Sequence, residues 1–290
     1  MNEPAYQYPT AEQLLEPLPN GGIKLHEIAM DRVSWDLLDP RIITEAMLLA
    51  SDGDGNTVAH CLVQQRVFAE LPPALITPRV LMARGGIDGS TVLHNLVRRG
   101  SWGLVNPRLL TEEMLLASDL NGDTVAHALA WAGMLDKVWL LITPRLLLAR
   151  SCRSATVLHV LVLRGSNSVL PLPTITPDML RSADEDEGRT VVKTAIDGRG
   201  IWAIAHLLDS EMLMMKSRSG RTALSSVVRN GCLHLVQPAA FRPEWMSRKF
   251  QGRTLRQILF DNYAFYLNEH IMEFQEPKFR AAILGRLLAA

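Results

Sequence analysis

The chain has 290 residues, 48% of them hydrophobic, with 30 Lys+Arg balanced by 30 Asp+Glu. That apolar content can fill a sizeable core. The zero net charge argues against a nucleic-acid partner and against an anionic membrane surface. Three cysteines, Cys61, Cys152 and Cys232, lie 80 or more residues apart with no CxxC pair, which reads as buried free thiols in a reducing, cytoplasmic compartment.

Residues 1–20 carry no basic segment followed by an apolar one, so no secretory signal is read there. Thr10-Ala11-Glu12-Gln13 is a capping-box pattern that opens a short helix with Leu14 and Leu15. Residues 1–19 are therefore expected to form an N-terminal helical cap. The longest apolar run, Val138 to Ile142, is far shorter than the roughly 20 residues of a membrane helix.

From residue 20 a phrase of the form Gly-x-Thr-apolar-apolar-His recurs. Its threonine stands at Thr57, Thr91, Thr124, Thr156, Thr190, Thr222 and Thr254, with Lys24 in that place in a degenerate first copy. The intervals are 33, 34, 33, 32, 34, 32 and 32 residues. Two residues earlier come Gly22, Gly55, Gly89, Gly122, Gly188, Gly220 and Gly252, with Ser154 breaking the column. A glycine there predicts a turn at positive φ, and the threonine a helix N-cap. Positions two, five and six after the anchor are apolar, as in Leu93/Leu96/Val97, which paints one face of a short helix. Gly100, Gly133, Gly165 and Gly231, nine residues after their anchors, should end it.

A second apolar segment follows, with Pro40, Pro73, Pro107 and Pro238 each 16 residues past the anchor. Proline inside a helix costs about 3 kcal/mol, so a second helix is expected to be short or to break there. Trp102, Trp139 and Trp202 fall in this segment and are read as core. Thr44-Glu45, Thr77-Pro78, Thr111-Glu112, Thr143-Pro144 and Thr176-Pro177 then signal one further helical turn per copy. Residues 263–290 show apolar residues at helical spacing (Phe265, Ile271, Phe274, Ile283, Leu287) and are expected to form a C-terminal helical cap.

Chemistry-bearing residues are few. His26, His60, His94, His127 and His159 occupy one column. Helices pack about 8–10 Å apart, too far for successive copies to share an ion held at about 2 Å, so these histidines are expected to bond locally and tie one turn to the next. Asp52-Gly53-Asp54-Gly55-Asn56 begins like a calcium loop but lacks glycine at its sixth position and glutamate at its twelfth. No P-loop, nucleophile elbow or dinucleotide fingerprint occurs. No catalytic residue, metal or cofactor is expected.

The phrase Gly89-Ser90-Thr91-Val92-Leu93-His94, the glycine nine residues after each threonine and the roughly 33-residue period resemble the ankyrin repeat. The resemblance covers about residues 20–262 in some eight copies. It departs from the family pattern in lacking proline after the threonine, and its Thr-Pro/Thr-Glu phrases stand where that family places a hairpin finger. It implies an all-α solenoid of stacked helix-turn-helix units closed by terminal helical caps. One copy alone could not recover the entropy of ordering about 33 residues, roughly 50 kcal/mol, so copies must bury each other's faces. It also implies a non-catalytic module that binds a protein or peptide on a concave face. The positions one before the anchor and seven and eight after it would line that face. They give Arg98, Arg99, Trp131, Arg164, Arg189, Arg221 and Arg253 as partner-contact candidates. Arg189, Arg221 and Arg253 would form a basic row suited to an acidic segment. The alternative is a bacterial or viral effector that uses the same surface to block a target protein.

Overall fold

The computed structural model describes residues 9–165, 172–198, 200–237, 240–259 and 261. It divides into two compact units: Met1–Ile142 with Ala149–Cys152, and Thr143–Leu148 with Arg153–Ala290. Pro238 and the expected cap at 263–290 lie outside the described residues.

In the first unit the helices Lys24–Met30, Val58–Gln64, Val92–Arg98 and Val125–Ala132 pack on one another in that order. The last three begin where the repeat phrase predicts. Thr91 and Thr124 are N-caps whose hydroxyls accept the N–H of the third helical residue. Gly100 and Gly133 adopt φ 71° and close the helices in the left-handed region. Leu62, Leu96 and Leu129, five residues after their anchors, are fully buried. Thr10 forms the expected capping box over Ala11–Leu14, and Leu14 is buried.

The glycine two before the anchor earns its place most clearly at Gly122. Its φ is 72°, and a Cβ there would stand 2.5 Å from the Cys152 backbone nitrogen. The serine that breaks this column, Ser154, holds φ 55° all the same. The first copy requires a correction. Its N-cap is Ile23, not Lys24, and the positive-φ glycine is Gly21, not Gly22. The bridge Pro17↔Ile23 corresponds to Ser51↔Thr57 and Ser118↔Thr124, and His26 then falls at the same third helical position as His60. A β-branched apolar residue that cannot cap with its side chain hid the register.

These bridges, and the two-residue strands Arg84–Gly85 and Ser90–Thr91, show that a tight antiparallel hairpin precedes each repeat helix. The second apolar segment is not one helix. It forms short 3₁₀ turns, Phe68–Glu70 then Pro73–Leu75, and Trp102–Leu104 then Pro107–Leu109. The proline opens the second turn, where its missing N–H costs nothing. Only six residues separate Gly100, which ends the helix, from Pro107, enough for one turn. Phe68, Trp102 and Leu135, each 11 residues after its anchor, point inward and are buried. Trp139 does not follow them: it is 68% exposed, because Leu135 and Val138 take the inward positions of its turn. The threonine phrases then start single-turn helices, Glu45–Leu49, Pro78–Leu81 and Glu112–Leu116, that bury Met47/Leu48, Val80/Leu81 and Met114/Leu115.

The second unit repeats this plan. Val157–Arg164 packs on Val191–Asp197, which packs on Ala223–Arg229. Leu161, Ala195 and Val227 are fully buried. The one-turn helices Pro144–Leu147, Pro177–Arg181 and Ser210–Met214 recur, the last capped by Asp209 in place of threonine. Hairpins close at Ala183↔Thr190 and Lys216↔Thr222, and at Lys249–Phe250 against Arg253–Thr254. Trp202, read as core, is 54% exposed, since Ile201 holds the inward position 11 residues after Thr190. Of the cysteines read as buried, Cys61 is buried in its repeat helix, whereas Cys152 is exposed and Cys232 half-buried. Among the described residues no helix is long and apolar enough to cross a membrane.

Candidate partner-binding face

Three of the hairpins are built by an aspartate that accepts two backbone N–H groups. Asp52 Oδ1 accepts the N–H groups of Asp54 (3.0 Å) and Asn56 (2.8 Å), and Asp119 Oδ1 those of Asn121 (2.9 Å) and Asp123 (3.0 Å). In the second unit Asp184 Oδ1 does the same for Glu187 (3.0 Å) and Arg189 (2.9 Å). These carboxylates are engaged as turn acceptors, which gives the acidic loops a physical role without an ion. Among the described residues no group of three or more His, Cys, Asp or Glu is placed to hold a metal.

The histidine column bonds in two directions. The Thr91 N–H (3.2 Å) and hydroxyl (2.8 Å) both face His94 Nδ1, which therefore accepts. The proton then sits on Nε2, which donates to the Asp123 backbone oxygen at 3.0 Å. His26 reaches the Asn56 oxygen at 3.2 Å and His60 the Ser90 oxygen at 3.1 Å in the same way. In the second unit His159 reaches the Arg189 oxygen at 3.1 Å. Each ring thus caps its own helix and holds the next hairpin. Burial pushes His94 down to about 4 and also lowers His60. Lys193 replaces histidine in its copy. Its ammonium bonds Asp197 (2.6 Å) and Ser226 Oγ (3.1 Å), so in this copy the inter-repeat tie goes to the next helix rather than to the next hairpin.

In the first unit, Arg98 and Trp131 line one groove of about 280 Å³, together with Asp123, Ala128, Ala132 and Val97. The three residues 128, 131 and 132 share one face of the helix Val125–Ala132. Trp131 is 45% exposed there. Arg98 is engaged within the chain: its guanidinium bonds Asp88 Oδ2 (2.7 Å), Ser90 Oγ (2.6 Å) and Asp119 Oδ2 (2.6 Å). The Asp119 side chain is 0% exposed. Arg98 therefore joins two successive hairpins as well as bordering the groove. Arg99, the C-cap of its helix, is exposed. Ala128, four residues after the anchor, completes the groove floor and was not singled out by the sequence pattern, which marked positions seven and eight.

In the second unit, Arg164 is exposed in the last turn of its helix. Arg189, Arg221 and Arg253 occupy equivalent places on successive hairpins, one residue before the anchor. Their charges differ in availability. Arg189 is bound to Asp184 (3.1 Å) and lies 3.5 Å from Glu187, while Arg253 pairs with Asp261. Arg221 is exposed and makes no ion pair among the described residues. Other exposed apolar groups sit on hairpin tips of the first unit, Ile87 and Leu120. The Leu120 N–H donates to the Asp88 oxygen at 2.8 Å, which locks those two tips side by side.

No family model matches the sequence, and no curated protein does. Among solved structures the chain is similar to the ankyrin repeat domain of Bcl-3, described as a unique member of the IkappaB protein family. The identity is 21%, with a TM-score of 0.51 over 73% of this chain and 99% of that domain. At this identity the likeness concerns the fold, and the fold is that of ankyrin repeats: all-α, repeated, with the hairpin–helix phrase in register.

Proposed function

We propose that this chain is a non-catalytic protein-binding module. It engages a protein or peptide through the face made by its hairpins and the adjoining edge of the repeat helices. The observation that carries the reading is Trp131. An indole left 45% exposed on a helix whose opposite face is buried is an apolar anchor without an intramolecular cover, and tryptophan is among the residue types that dominate interface energies. Arg99, Arg164 and Arg221 supply exposed charge around the same kind of position, with Arg221 the member of the basic row best placed to meet an acidic segment.

The test is quantitative affinity purification with the full chain and with Trp131→Asp, after circular dichroism has shown equal helix content. A hot-spot loss of at least about 2 kcal/mol corresponds to about thirtyfold weaker capture of the genuine partner. Equal recovery of every captured protein by both forms would reject Trp131 as the anchor.

A further inference from the structure

The groove beside Trp131 contains a second group that its geometry leaves unused. Asp123 lines it, and the Asp123 carboxylate takes no hydrogen bond or ion pair among the described residues. Its backbone is fully employed: the N–H donates to Asp119 Oδ1 (3.0 Å), and the oxygen accepts from the Asp119 N–H (2.9 Å) and from His94 Nε2 (3.0 Å). The residue is thus held by its main chain in the lining of the groove, while its carboxylate has no partner among the described residues. The one cation that borders the groove, Arg98, is held by both Asp88 and Asp119. Its positive charge is therefore already outweighed by its own two partners.

The remaining lining is apolar and small. Ala128 and Ala132 leave space below the indole, and about 280 Å³ lies at or below the low end of small-molecule pockets, about 300–1,000 Å³. That is room for one long side chain. An aromatic face next to an uncompensated carboxylate attracts a cation twice, through the ring quadrupole and through the charge. A methylene stem would lie along the alanines while its charged head stays at the polar end.

We propose, on the premise that this face binds a protein, that the groove takes a lysine or arginine side chain of the partner. The cation stacks on Trp131 and pairs with Asp123. The recognised element is a basic residue presented on a peptide or loop, and it is distinct in chemistry from any acidic segment drawn to Arg221 in the second unit.

The experiment pans the full chain against a random-peptide phage library, then measures the enriched synthetic peptides against Asp123→Asn, Trp131→Phe and Arg108→Gln forms of comparable circular dichroism. Enriched peptides should share a lysine or arginine, and exchanging that residue for norleucine should weaken binding about tenfold, as should Asp123→Asn. Trp131→Phe should weaken it less, since phenylalanine keeps a smaller aromatic face, and Arg108→Gln, at an exposed turn away from the groove lining, should leave it unchanged. Peptides that bind without a basic residue, or that ignore Asp123→Asn, overturn the cation groove while leaving a protein-binding function standing. A library from which the wild-type chain enriches no peptide overturns both.

Discussion

The buried histidines give the fold an acid sensitivity that can be worked out at His94. In the folded chain its ring accepts at Nδ1 from Thr91, donates at Nε2 to Asp123, and is fully buried. Burial holds it down to about 4 against an ordinary 6.5. The sign follows from which state takes up the proton. Between pH 6.5 and 4 the unfolded chain protonates this ring and the folded chain does not. The stabilisation is therefore complete above pH 6.5 and is lost as pH falls toward 4. At about 1.4 kcal/mol per tenfold change in proton affinity, the loss amounts to about 3 kcal/mol at pH 4, of which about 2 kcal/mol is already gone at pH 5. The control is His94→Gln. Gln257 occupies the equivalent place in the last copy and accepts the Thr254 N–H through its side-chain oxygen at 2.9 Å, so glutamine preserves the cap. It removes the bond to Asp123, at about 1 kcal/mol. Urea unfolding of both forms at pH 7 and pH 5, followed by far-ultraviolet circular dichroism, should show the variant less stable at pH 7. The deficit should shrink or reverse at pH 5. An unchanged difference at the two pH values would mean that His94 does not titrate as a buried neutral ring, and the reasoning would be wrong.

Two further expectations concern stability. Gly122→Ala should cost about 3 kcal/mol or more and Gly133→Ala only about 1–2 kcal/mol, although both have φ near 70°. Only at Gly122 would the added Cβ meet backbone, and the urea midpoints of the two variants will show whether that close approach matters. Arg98→Lys should destabilise the chain by about 1–2 kcal/mol, because an ammonium cannot span Asp88, Ser90 and Asp119 in the fork geometry of a guanidinium. Any binding defect of Arg98 variants should therefore be accompanied by a lowered melting temperature, whereas one at Trp131 should not.

The repeat was legible because its marks are local. A threonine followed three residues later by histidine, and a glycine needed at positive φ, act within one turn of chain. Where the local mark was missing, as at Ile23, the register slipped by one residue. The 3₁₀ character of the second segment was foreshadowed by its proline but not named. Trp139 and Trp202 were misplaced because they were grouped by segment. Their distance from the anchor decides which side of the turn they face, and Trp102 alone holds the inward position. The groove was half visible, since Trp131, Arg98 and Asp123 lie in the variable columns. The engagement of Arg98 was not, because its partners Asp88 and Asp119 sit on two hairpins, 10 and 21 residues away. No single column of the repeat contains that relation.

The histidines grip a main-chain oxygen, a group that every amino acid carries. The residue that provides it can be asparagine at 56, serine at 90, aspartate at 123 or arginine at 189 with the tie unchanged. The tie is thereby independent of side-chain identity at the positions proposed to meet a partner. Substitution at that site leaves the backbone tie itself in place, and what it disturbs is only what the side chain does, such as the Ser90 hydroxyl on Arg98 or the Arg189 guanidinium on Asp184.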